Sequence, residues 1–298
     1  MTDSVPEPLS VPPRLAEGMR RFGSAEWLDS LPKSVGEAAE RWDLEIGEPY
    51  VPGGMTSWVA PVRRGDGLEL ALKVTWAHDE GLHEAEGLMA WDGRGAIRLF
   101  SRLEVDGARI MLLERCRPGL PLDRQPETEQ DEVVAGLLHR LWSAPRRAFP
   151  FRPLSEMCDR WVAEFRHKQS VSPHSRLLDP GLVEEGLALF GDLARSADRA
   201  ALLCTDLHAG NVLAARREPW LMIDPKPYLG DPTYDVLQHL VNCPGRLLAD
   251  PRATVRRLAD LVDLDPERIE RWLFARCVIE SLDREDLRRV ARLLIVRA

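Results

Sequence analysis

The residues best suited to chemistry lie between Leu202 and Asp235, in LLCTDLHAGNVLAARREPWLMIDPKPYLGDPTYD. Four aspartates, a histidine and an asparagine stand there among short apolar runs of the kind that are normally buried. Asn211 follows Asp206 by five residues, and Asp224 follows Asn211 by thirteen. If Asn211–Ala215 and Trp220–Ile223 pair as two short strands around Arg216–Pro219, Asn211 and Asp224 come side by side at the open end of a hairpin. Asp206 then sits on the loop that leads in. Two carboxylates and a carboxamide are hard oxygen donors, the set that suits Mg²⁺. Any one of these residues alone is more simply a turn cap or a strand end. The set, at this spacing and between apolar strands, points to magnesium and a nucleotide phosphate.

The Asp-to-Asn spacing matches the D-x-x-x-x-N of the protein-kinase catalytic loop, where Asp accepts the proton of the substrate hydroxyl and Asn holds the metal. Asp224-Pro225-Lys226 then stands where such kinases carry Asp-Phe-Gly. A kinase makes further demands on the chain. ELALKV supplies a lysine, Lys73, on a strand; the next helix supplies Glu84 to hold it, with Glu80 and Glu86 as weaker choices. Met111–Arg115, MLLER, lies where a linker between lobes would meet adenine. Alone, Lys73 would read as a surface lysine at a strand edge. Only four of the 40 basic residues are lysine (Lys33, Lys73, Lys168 and Lys226), which is suggestive of places where a compact ammonium is needed.

The elements that must position these groups fall into two sets. Pro13–Phe22 and Val35–Trp42 read as helices. Trp58–Arg64 and Leu68–Thr75, joined by Gly65-Asp66-Gly67, read as a hairpin, as do Ile97–Val105 and Ala108–Glu114 around Asp106-Gly107, because Asp-Gly supplies the positive φ of a tight turn. Glu80–Trp91 reads as a helix between the hairpins. After Arg117-Pro118-Gly119 the pattern is helical: Glu127–Trp142, Leu154–Lys168, Pro180–Ala197, Tyr234–Asn242, Ala253–Val262, Pro266–Ser281 and Arg284–Val296. The expectation is an α+β, bilobal, protein-kinase-like fold, with a small β-rich N-lobe over residues 1–115 and a larger helical C-lobe over 116–298. In it, side chains 206, 211 and 224 would gather about a divalent cation facing the Lys73 ammonium across an interlobe cleft.

At 298 residues the chain can bury a sizeable core. No apolar run approaches the roughly 18 residues of a membrane span. The start, MTDSVPEPLSVPP, lacks the basic and apolar regions of a secretory leader. Five scattered cysteines with no CxxC pair read as reduced thiols. Together these suggest a cytoplasmic protein. A net charge of −8 argues against nucleic-acid binding and is compatible with a cationic substrate.

CTDLHAGNVL followed by LMIDPKPYLGDPTYD resembles the aminoglycoside phosphotransferase family, in particular its streptomycin 6-phosphotransferase and hydroxyurea phosphotransferase branch. That resemblance implies an ATP- and Mg²⁺-dependent phosphotransferase acting on a hydroxyl of a small molecule, a streptomycin-like aminoglycoside or hydroxyurea, and conferring antibiotic resistance. It implies Asp206 as catalytic base and Asn211 and Asp224 as metal ligands. Lys73 would bind the nucleotide phosphates with Glu84 orienting it, Gly53 and Gly54 would lie in the loop over the nucleotide, and Glu114 and Arg115 at the adenine linker. His208, Asp231, Asp235 and Glu280 are expected beside the substrate or behind it: His208 as a structural member of the loop, Asp231 supporting from behind, Asp235 as a substrate contact, Glu280 pointing inward toward a cationic acceptor. Asp159, Glu164 and Asp283 are acids of the same lobe that read more simply as solvated helix faces. No obligate protein partner is evident.

Cys204-Thr205 stand where the family commonly has His-Gly, and the threonine makes the loop less permissive. Two other classes remain as alternatives: a nucleotide-binding pseudokinase, and a metal-dependent hydrolase built on Asp206, His208, Asp224, Asp231 and His239. A kinase of another small metabolite is the alternative within the same class.

Overall fold

The computed structural model describes residues 9–105, 107–144 and 149–295. Asp106 of the second expected turn, the first eight residues of the chain and Val296 at the end of the last expected helix lie outside them. The chain divides into two compact units, Met1–Gly93 with Ile97–Gly119, and Arg94–Ala96 with Leu120–Ala298.

The first unit is a five-stranded antiparallel sheet with three helices. Its elements in chain order are α1 (Pro13–Arg21), α2 (Trp27–Trp42), β1 (Leu44–Ile46), β2 (Ser57–Arg64), β3 (Glu69–Trp76), α3 (Glu84–Trp91), β4 (Leu99–Val105) and β5 (Ala108–Glu114). Strand order is β1-β2-β3-β5-β4. Both expected hairpins form, and the short β1 was not anticipated; it makes β3, which carries Lys73, the third strand. Helix α2 begins eight residues before the expected Val35 and runs through Pro32. Its first turn uses bonds three residues apart (Trp27, Leu28 and Asp29 N–H to Ser24, Ala25 and Glu26 carbonyls). Burial of Trp27, Leu31, Val35 and Ala38 against the sheet core outweighs the bond that proline cannot donate. Conversely α3 starts at Glu84 rather than Glu80.

The second unit is mainly helical: α4 (Glu127–Trp142), α5 (Leu154–Val171), α6 (Pro180–Arg195), α7 (Pro232–Asp235), α8 (Leu237–Val241), α9 (Pro244–Ala249), α10 (Pro251–Val262), α11 (Pro266–Glu280) and α12 (Glu285–Ile295). Two small antiparallel pairs complete it, β6 (Ala201–Leu203) with β9 (Tyr228–Gly230) and β7 (Val212–Ala214) with β8 (Trp220–Met222). Helix α11 is the core element, burying Trp272, Leu273, Phe274, Cys277 and Val278. It packs closely on α6 because Gly186 has no Cβ: one added there would fall 2.5 Å from a Val278 methyl. Trp272 meets Phe190 and Tyr234 edge-on at 5.6 and 5.0 Å. All five cysteines are free thiols, and no helix among the described residues is long and apolar enough to cross a membrane.

Candidate active site

The β7–β8 hairpin pairs Val212 with Met222, so the residues just beyond that pair, Asn211 and Ile223, are also bonded, the Ile223 N–H donating to the Asn211 carbonyl at 2.9 Å. Asn211 and Asp224 therefore flank the open end. On the loop before it, the Asn211 carboxamide N–H donates to the Asp206 carbonyl at 3.0 Å. That bond uses the amino end of the carboxamide, so its oxygen is the atom that remains to ligate a cation. Asp206 is largely buried, and burial raises its pKa above the ordinary carboxylate range; Lys226 opposes this and the nearby Asp224 charge adds to it. His208 caps the turn Ala209–Asn211, its Nδ1 accepting from the Gly210 N–H at 3.1 Å, and burial lowers its pKa.

The two residues before Asp206 carry strain and its compensation. Thr205 has φ of +49°, which for a side chain with a Cβ costs roughly 1–2 kcal/mol. Its N–H donates to Asp235 Oδ1 at 2.7 Å and its hydroxyl to the Lys226 carbonyl at 2.6 Å. Asp235 Oδ2 accepts from the Cys204 N–H at 3.1 Å and from Trp142 Nε1 at 2.9 Å. A threonine thus occupies the glycine position without disrupting the loop.

Asp235 is wholly buried, which corrects its expected place as a substrate contact: both of its oxygens accept from Cys204 and Thr205, the two residues before Asp206, or from Trp142. Burial raises its pKa to about 6 against the bonds it accepts. Asp231 is likewise buried, capping α7 through the Thr233 N–H at 2.9 Å and accepting from Arg268 Nε at 2.6 Å and Trp272 Nε1 at 2.8 Å. Gly230 before it allows β9 to lie on α5, since a Cβ there would meet the Leu154 Cβ at 2.5 Å.

The Glu280 carboxylate pairs with Arg276 at 2.6 Å and with Arg284 at 3.8 Å, one helical turn to either side. Arg276, itself buried, lies 4.1 Å above the Trp161 ring and donates to the Tyr234 hydroxyl at 3.0 Å. Asp159 and Glu164 on α5, and Asp283 in the turn after α11, are solvated acids that pair with Arg195, Arg160 and Lys168.

In the first unit Lys73 Nζ donates to both oxygens of Glu84, at 2.7 and 2.8 Å, with both side chains nearly excluded from solvent. Glu84, the first residue of α3, is thus a partner of Lys73 as expected; Glu80 precedes α3 and Glu86 meets Arg102. Gly53 and Gly54 lie in the β1–β2 connection; Gly53 has φ of +79° and a Cβ there would fall 2.7 Å from the Pro12 ring. Glu114 ends β5 with Oε2 accepting from the Arg98 N–H at 3.0 Å, and Arg115 follows, 3.8 Å from Glu69.

The hydrolase constellation does not assemble. His239 Nε2 is bonded to buried Asp131 at 2.9 Å, where Arg246 and Arg257 also converge, and Asp231 is committed to Arg268 and Trp272. Among the described residues no group of three or more His, Cys, Asp or Glu side chains could hold a metal. Two contacts at this loop escaped sequence reasoning: the bonds of Asp235 to Cys204 and Thr205 and the contact of Lys226 Nζ with Asp206 Oδ2 at 3.3 Å. The scarcity of lysine was the one signal for the second.

A β-sheet unit bearing a buried Lys–Glu pair and a helical unit bearing an Asp-x₄-Asn loop define a protein-kinase-like phosphotransferase fold. Among solved structures, aminoglycoside phosphotransferase APH(4)-Ia, in a thermostable mutant bound to ADP and hygromycin B, shares that fold with a TM-score of 0.55 at 15% identity, covering 87% of this chain and 96% of its own. The chain belongs to the aminoglycoside/hydroxyurea antibiotic resistance kinase family, whose model matches residues 41–286. It is 40% identical over 285 residues to a hydroxyurea phosphotransferase of Kitasatospora aureofaciens, covering 92% of this chain and 80% of that one. It is 37% identical over 292 residues to a streptomycin 6-kinase of Streptomyces griseus, covering 93% and 92%.

Proposed function

We propose that this chain transfers the γ-phosphoryl group of ATP to a hydroxyl of a streptomycin-like aminocyclitol or of hydroxyurea, and that it does so in the cytoplasm as a resistance enzyme. The reading rests on one observation above all: Asn211 is locked to the backbone of Asp206 while Asp224 flanks it across a hairpin end. Asp206 orients the acceptor hydroxyl and takes its proton. A carboxylate whose pKa is raised by burial is a better proton acceptor than a free one, provided it is ionised. Lys73, held straight by Glu84, binds the α- and β-phosphates. Gly53 and Gly54 cover the nucleotide, and Glu114 and Arg115 meet adenine through their backbone.

The donor chemistry fits magnesium. Asn211 and Asp224 offer one carboxamide oxygen and one carboxylate, too few for an all-protein cage, and Mg²⁺ in such sites completes its shell with substrate phosphates and water. When bound it would neutralise charge on the phosphate oxygens. The rest of catalysis is positioning, because the charge of the transition state is spread over the phosphoryl oxygens.

A coupled ADP-release screen with Mg²⁺-ATP over aminoglycosides, hydroxyurea, amino sugars and small amino alcohols, with product mass confirmed, tests the reading. Asp206→Ala should lower turnover by several orders of magnitude with nucleotide binding nearly unchanged. Turnover that survives this change removes Asp206 as the base. ATP binding without ADP release on any acceptor would favour a pseudokinase.

A further inference from the structure

Lys226 Nζ lies 3.3 Å from Asp206 Oδ2, with side-chain exposures of 35% and 16%. Its backbone is fixed to the two residues that precede the base: the Lys226 N–H donates to the Cys204 carbonyl at 2.9 Å, and its carbonyl accepts from the Thr205 hydroxyl at 2.6 Å. Lys226 and Asp206 are therefore clamped together although they lie twenty positions apart in the chain.

The choice of residue is informative. Of the four lysines, Lys33 and Lys168 are surface groups, with side chains 65% and 54% exposed. The other two are Lys73 and Lys226, and each is paired with a carboxylate of the candidate site. An arginine fork would commit its donors to the Asp206 carboxylate in one plane. An ammonium has three rotatable donors and can serve the base and a second acceptor together.

We propose, on the basis of the phosphotransferase reading, that Lys226 is a catalytic residue whose ammonium bridges Asp206 and the phosphoryl group in transfer. The base must lie about 2.6–3.2 Å from the acceptor hydroxyl, and that hydroxyl about 3–3.5 Å from phosphorus. A cation against the base oxygen thus neighbours the phosphoryl oxygens on which charge accumulates. In the step, the hydroxyl oxygen forms a bond to the γ-phosphorus, and the bond from that phosphorus to the β–γ bridging oxygen breaks, its electron pair leaving on ADP. The hydroxyl proton passes to Asp206. Lys226 keeps its protons and donates hydrogen bonds throughout.

The test compares Lys226→Met, Lys226→Gln and Lys226→Arg with the wild-type chain for kcat, KM for ATP and acceptor, ADP affinity and thermal midpoint, with Asp206→Ala in parallel. Removing a group that stabilises transition-state charge costs about 10²–10³ in kcat. The expected result is that loss in the Met and Gln variants, with KM for ATP and ADP affinity nearly unchanged, and only partial recovery in Arg, which keeps the positive charge but spends its fork on Asp206. If the Met variant does not fold, the Gln variant carries the same comparison. A kcat close to wild type in the neutral variants overturns the proposal. So does a loss that tracks a fall in thermal midpoint and ADP affinity, which would make Lys226 a support for the loop. Asp206→Ala separates the levels: if it retains turnover, Asp206 is not the base and the proposed bridge loses its partner, and if it alone abolishes turnover only the role of Lys226 fails; a wild-type chain that releases no ADP on any acceptor defeats the phosphotransferase reading itself.

Discussion

Glu84→Ala should be among the most damaging single changes in the β-sheet unit, and its effect can be worked from the Lys73 pair. The two side chains are 6% and 5% exposed, with Nζ 2.7 Å from the nearer oxygen. At an effective dielectric of about 20, their attraction at that distance is about 6 kcal/mol. Desolvating the two ions offsets most of it, so the intact pair adds little to stability. Removing only the carboxylate leaves the desolvation cost of the ammonium without its main compensation, a loss of about 3–5 kcal/mol. For a chain of this size that lowers the thermal midpoint by on the order of 10 °C. Replacing both partners, as in Lys73→Met with Glu84→Leu, should recover most of this stability, because apolar side chains of similar volume carry no desolvation cost. The double variant should nonetheless fail to transfer phosphate. Differential scanning calorimetry on the wild-type chain, Glu84→Ala and the double variant measures the first part, and ADP release the second. A Glu84→Ala midpoint within about 2 °C of wild type, or a double variant no more stable than the single, would refute the reasoning by showing that the pair is solvated.

Other outcomes follow from the catalytic loop. At position 205, glycine should rank above alanine in stability by about 1 kcal/mol, since only glycine relieves the left-handed strain and both lose the hydroxyl bond; urea midpoints of Thr205→Gly and Thr205→Ala check this, and the reverse order would contradict the φ of +49°. Asp235, raised by burial to about 6, binds a proton in the folded chain more tightly than in the unfolded one. The stability it contributes is therefore fully present below the unfolded carboxylate pKa and is lost as pH rises through about 6. The difference in thermal midpoint between the wild-type chain and Asp235→Asn should accordingly shrink from pH 4 to 6 (~3 kcal/mol in all); a constant or growing difference would overturn it.

Much of the site was legible in the chain itself. The hairpin around Arg216–Pro219 could be read because apolar alternation and turn residues act over a few positions, and that alone brings Asn211 to Asp224. The strand carrying Lys73 and the helix carrying Glu84 were legible for the same reason. Helix ends were not: Pro32 argues locally against the helix that burial of Trp27 and Leu31 imposes, and β1, only three residues long, carries too little pattern to detect.

The roles of the remaining acids depended on partners far away in sequence. Asp235 looked like a substrate ligand until its oxygens were found turned toward Cys204, Thr205 and Trp142. Glu280 carries two arginine partners, Arg276 and Arg284, and nothing near Lys226 in the chain announces its contact with Asp206. Sequence alone determined which chemical groups the protein has and their local order, because strand and turn formation are governed by neighbours. Tertiary structure decided which carboxylates are spent on the fold and which are left for chemistry, because burial and ion pairing are set by residues that meet only once the chain has packed.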